Sequence, residues 1–157
     1  MAYARADTYR EALVLRAVYR WWSALVFLLV IVQIGFAGYG AFGTAKDIDD
    51  NGSVDEDRFE ELFGLHVGFG YLVILAGLIF LAIGVAAGLG RWRLGRHGLL
   101  ALLLVVQLFL AWLGFGVPYV FGFLHPLNAV VIFILAGWIA WNEWKSSRMI
   151  GRPAPAP

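Results

Sequence analysis

Four runs of about twenty apolar residues, parted by polar stretches, fix the solvent of this chain before any other feature is weighed. They cover residues 21–42, 62–89, 97–117 and 123–144. A helix needs about 20 residues to cross the hydrocarbon core, and each run supplies them. None alternates with the period of a half-buried strand, and an open sheet edge in lipid would leave backbone groups without partners. The expected fold is therefore all-α: a four-helix transmembrane bundle running up-down-up-down. At 61% hydrophobic and 15% charged residues, the 157-residue chain is too apolar for a water-solvated domain of its size. The first run is longer than a signal-peptide core and no A-x-A-like site follows it, so it reads as a retained helix.

Positive charge sets the orientation. With both termini and the Arg91–Arg96 connector placed in the cytoplasm, ten of the twelve Lys/Arg lie inside and only Lys46 and Arg58 lie outside. The chain divides into a cytoplasmic segment 1–20, a membrane domain 21–144 and a cytoplasmic tail 145–157. Residues 43–61 form an acidic, extracytoplasmic loop of a multi-pass cell-membrane protein. Thr8 and Glu11 have the spacing of a capping box, so a helix is expected to start there. The alternating proline and alanine of 152–157 suit an extended tail. Tryptophans such as Trp21, Trp22, Trp138, Trp141 and Trp144 gather toward the inner interface, as an aromatic belt does. Net charge is only +1 and no basic groove is visible, which argues against nucleic acid as a partner. Cysteine is absent, which removes disulfides, iron–sulfur clusters, thiolate catalysis and covalent c-type haem.

Three histidines remain. His97 sits in the basic inner connector and is read as an interface residue. His66 and His125 lie within one to two turns of the outer ends of spans two and four, at matched depth. Ionisable residues inside a span are usually tied to a cavity, partner or ligand. Gly70, Gly77 and Gly84 share a helical face with His66, and Ala129, Ala136 and Glu143 share one with His125. Spans two and four are diagonal in a simple bundle, so two imidazoles there suit the axial positions of one haem iron. Phe63, Phe69, Phe115, Phe121 and Phe123 are candidates for apolar walls, and Arg58, Lys46 or Tyr119 for propionate contacts. Asn128 is placed to bond a neighbouring helix or to stand behind the ligand. Gln33 and Gln107, on the other diagonal, are expected to bond each other. The opposing interpretation of these residues is structural: a histidine near a helix end reaches water, and aligned glycines pack helices.

The stretches Leu65-His66-Val67-Gly68 and Leu124-His125-Pro126-Leu127-Asn128-Ala129, on alternate helices, resemble one half of the haem A synthase family. They also resemble small bacterial four-span proteins with a similar Leu-His-Pro-Leu-Asn run. The resemblance implies a bis-histidine haem b site, with His66 and His125 on the iron. It departs from haem A synthase in having one half rather than two. Phe63 also stands where that family's catalytic half carries a glutamate three residues before its first histidine. Electron transfer or haem sensing is the inheritance this leaves, with no visible enzyme chemistry.

The outer loop carries a second pattern. Asp47, Asp49, Asn51, Ser53 and Asp55 follow the alternate oxygen ligands of an EF-hand, with Gly52 at the sharp turn. The twelfth position is Arg58 where a bidentate glutamate is needed. The sequence thus supports either a weak calcium site or a solvated acidic turn. Three functions stand at this point. The chain is a haem protein with a possible redox partner, a non-catalytic membrane subunit or assembly factor with structural histidines, or a divalent-metal protein using His66, His125 and a carboxylate such as Glu61.

Overall fold

The computed structural model describes the backbone of residues 2–150 and the side chains of 14–15 and 17–146. It is all-α, with α1 Ala2–Asn51, α2 Glu56–Ala86, α3 Arg91–Gly116 and α4 Pro118–Ile150. All four helices are long and apolar enough to cross a membrane. α1 packs on α2 and α4, and α3 packs on α2 and α4, so the α1–α3 and α2–α4 pairs are the diagonals.

The helices outrun the apolar runs. α1 is helical from Ala2, ahead of the start expected at Thr8, and its 50 residues span about 75 Å, far more than a bilayer core. Thr8 and Glu11 lie outside the described side chains, as do residues 152–157 of the proposed tail. Beyond Phe42, local bonds carry α1 onward: the Thr44 hydroxyl donates to the Gly40 carbonyl at 2.8 Å, and Lys46 pairs with Asp50 one turn on at 2.6 Å. The stretch expected as a loop over 43–61 is thus helical except for a short turn. Gly52 supplies that turn at φ +78°, and Asp55 caps α2 by accepting from the Arg58 backbone N–H at 2.8 Å.

The other connections are equally short. Gly88, at φ +63°, turns the chain between α2 and α3. Val117 alone links α3 to α4: its N–H closes α3 on the Leu113 carbonyl, and its carbonyl accepts from Phe121. Pro118 takes the first helical position, where its missing N–H is harmless.

Each helix contributes to one core, including Val26 and Val30, Val73 and Phe80, Leu100 and Leu104, Ile132 and Ala136. The outward side chains are also apolar: Leu28, Leu75, Leu102 and Ile134 are all exposed. A surface of this kind belongs in lipid.

Candidate functional site

α2 and α4 bring His66 and His125 together edge-on across the bundle, with ring centroids 6.2 Å apart and planes at 73°. Two imidazoles bound to one metal through nitrogens about 2.0–2.1 Å from it have centroids about 6.3 Å apart, once a ring radius of about 1.1 Å is added on each side. The observed separation is compatible with that requirement, and it also lies in the ordinary range of an edge-on contact between two rings.

Each ring is steered by a glutamine on the preceding helix. Nδ1 of His125 lies 3.2 Å from the Gln107 backbone carbonyl, and Nδ1 of His66 lies 3.3 Å from that of Gln33. A histidine that binds metal commonly donates its other ring N–H in this way. The expected bond between Gln33 and Gln107 is not made. They sit on the diagonal helices α1 and α3, whose backbones stay apart, and each amide turns to the histidine of its own half.

The side-chain amides then diverge. Gln107 Nε2 lies 3.1 Å from His125 Nε2, while Asn128 Nδ2 donates to Gln107 Oε1 at 2.7 Å and to the Leu103 carbonyl at 3.0 Å. The Leu103 carbonyl can only accept, which fixes the Asn128 amide, and Asn128 in turn fixes that of Gln107. Asn128 therefore stands behind the histidine, acting through Gln107. In the other half, Gln33 Nε2 donates to the His66 carbonyl at 2.8 Å and lies 3.0 Å from His66 Nδ1. Its Oε1 is buried without a partner. Nδ1 of His66 either accepts from that amide or donates to the Gln33 carbonyl. The second tautomer leaves the Nε2 lone pair available for a ligand.

These pairs belong to a larger repetition. Ser23, Val26, Val30 and Gln33 on α1 correspond to His97, Leu100, Leu104 and Gln107 on α3, each 74 residues on, and the first three of each set are buried. His66, Val73, Gly77 and Phe80 on α2 correspond to His125, Ile132, Ala136 and Ile139 on α4 at an offset of 59, and the last three of each set are buried. The two halves are built alike. Phe69 stands where the second half has Asn128, and it packs edge-on against Phe36 with centroids 5.1 Å apart. Gln33 and Gln107, within similar apolar runs, are the sequence signal of this repeat.

Of the expected apolar walls, Phe63 lies edge-on to His66 at 6.2 Å. Phe115 and Phe123 are largely exposed. The cations expected at the propionates are already engaged: Lys46 with Asp50, and Arg58 with Asp47 at 2.5 Å and Glu61 at 2.7 Å. Tyr119 is 93% exposed.

Asp47, Asp49 and Asn51 lie on the continuous helix α1, where alternate residues diverge by about 200° and cannot converge as loop ligands do. Ser53 and Asp55 follow in the turn, Asp55 as the α2 cap. Among the described residues, no group of three or more His, Cys, Asp or Glu is placed to hold a metal ion.

His97 is not the interface residue its basic neighbours suggested. It is 2% exposed, the most enclosed histidine of the chain. Tyr19 donates to its Nε2, and its Nδ1 donates to the Arg93 carbonyl. Phe80 covers both rings, at 5.1 Å from Tyr19 and 4.6 Å from His97. Arg93 pairs with Glu143 and lies over the Tyr19 ring at 5.6 Å. All four helices meet in this cluster. The pairing of Tyr19 with His97 across 78 residues leaves no local trace in the sequence.

Neither protein families, nor curated proteins, nor solved structures yield a match to this chain.

Proposed function

We propose that this chain is an integral membrane b-type haem protein in which His66 and His125 would hold one haem iron, serving electron transfer or haem sensing. The observation that carries the reading is the 6.2 Å separation of two imidazoles on diagonal helices. Ligand count favours haem over a bare divalent ion. Zinc takes about four ligands, and the site offers two imidazoles with no third His, Cys, Asp or Glu grouped with them among the described residues. A porphyrin brings four nitrogens of its own and asks the protein for two. When bound, the haem supplies a one-electron couple. The protein's part is to hold both rings by their Nδ1 atoms, surround them with apolar side chains and limit water.

In the membrane, the helices run up-down-up-down with both termini cytoplasmic, as ten inner Lys/Arg against two outer ones favour. The histidines then lie toward the outer side. The propionates would face an outer surface whose two cations already hold carboxylates, so they would rest in water.

A second reading draws on the Gln107 amide beside His125 Nε2: a non-catalytic subunit or assembly factor whose histidines lock helices together. Visible spectra of detergent-purified protein, expressed with ample haem, separate the two. The haem reading predicts a Soret band and sharp α and β bands on dithionite reduction. Colourless protein selects structural histidines.

A further inference from the structure

The two proposed ligands are not equivalent, and the difference bears on what else the site binds. This step rests on the haem reading. No hydrogen bond reaches His66 Nε2 among the described residues, so ligation through it asks only that Nδ1 donate to the Gln33 carbonyl at 3.3 Å instead of accepting from the Gln33 amide at 3.0 Å. His125 Nε2 is already met by the Gln107 amide at 3.1 Å. With Nδ1–H of His125 directed to the Gln107 carbonyl, that contact is an N–H donating to the Nε2 lone pair, the same lone pair a metal needs. Asn128 holds the amide in this orientation at 2.7 Å. The unligated state of His125 is therefore a satisfied one, built into the second half and absent from the first.

We propose that His66 is the fixed ligand and His125 the displaceable one, so that the reduced protein takes up a neutral diatomic ligand such as carbon monoxide on the His125 side. In the exchange, the bond between iron and His125 Nε2 breaks, the carbon of carbon monoxide takes that position, and the freed lone pair accepts from Gln107. No electron or proton is transferred. Ligand choice at such a site follows the donors and access of the distal side, and here that side carries the Gln107 amide.

The test is a carbon monoxide titration of dithionite-reduced, haem-loaded protein in detergent, read by the Soret shift. Wild type is expected to convert fully. Gln107→Leu keeps the backbone carbonyl but removes the competitor for Nε2, so carbon monoxide binds about tenfold more weakly, the equivalent of one hydrogen bond. Asn128→Leu moves affinity the same way by less, while Gln33→Leu leaves it within about twofold. His125→Ala binds carbon monoxide more tightly than wild type, having nothing to displace. A six-coordinate spectrum unmoved by saturating carbon monoxide overturns this inference and leaves the haem reading intact. So does an equal effect of Gln33→Leu and Gln107→Leu. Colourless wild type overturns both.

Discussion

Both halves of the molecule present a glutamine on their first helix and a histidine on their second, and they differ in what lies three residues beyond the histidine. Asn128 in the second half completes a chain from the Leu103 carbonyl through Gln107 to His125. Phe69 in the first half can donate nothing, so Gln33 folds back on the α2 backbone and leaves its Oε1 buried without a partner. One substitution within a repeated frame thus separates a self-satisfied polar network from one with unmet hydrogen-bonding capacity. Buried polar groups cost most when left unpaired. The first half bears that cost, and among the described residues no hydrogen bond reaches its histidine Nε2.

The largest effect expected from breaking this comparison falls on the ligands. His66→Ala should weaken haem retention about 100-fold or more, while His125→Ala, whose loss is offset by the hydrogen bond already made to Gln107, should weaken it about tenfold. Haem transfer to an apo-globin acceptor measures both. Equal losses would show that the halves hold the group alike.

The opposite end of the bundle comes next. There Ser23 and His97 occupy equivalent positions, and only the second half carries an imidazole. Tyr19→Phe removes the donor to His97 Nε2 and leaves a buried acceptor unmet, which costs about 1–3 kcal/mol. Thermal unfolding in detergent should register it, and haem spectra should not change. An altered spectrum would mean that this cluster reaches the His66–His125 pair.

Within the membrane, Asn128→Leu should cost about 1 kcal/mol, since it strips Gln107 Oε1 of its donor. Gln33→Leu removes an unpaired acceptor together with one good hydrogen bond, and the two nearly cancel, within about 0.5 kcal/mol. A cost for Gln33→Leu as large as that for Asn128→Leu would place a donor at Gln33 Oε1 that the chain itself does not provide. Glu143→Gln belongs beside Asn128→Leu in size: it breaks the pair with Arg93, whose side chain is 44% exposed against 12% for Glu143, so the loss should be about 1 kcal/mol and only partly screened by added salt.

The four helices long and apolar enough to cross a membrane were legible in the sequence because lipid leaves a chain few ways to satisfy its backbone. Their ends were not: α1 continues nine residues past Phe42 through polar, one-turn contacts that hydropathy does not register. The two site histidines stood out as ionisable residues within apolar runs. Their glutamine partners were visible as residues but not as partners, because that depends on which helices adjoin. Adjacency is decided by packing across the whole bundle. His97 was hidden by Arg91, Arg93 and Arg96, whose charges mark an interface while the imidazole between them turns inward to Tyr19.

The most direct measurement is haem content per chain, by pyridine haemochrome on protein quantified by amino-acid analysis, in wild type, His66→Ala, His125→Ala and the double variant. One shared iron predicts one haem per chain in wild type, less in each single variant with His66→Ala the lower, and none in the double variant. Wild type without haem, or a double variant that retains the wild-type content, would contradict it.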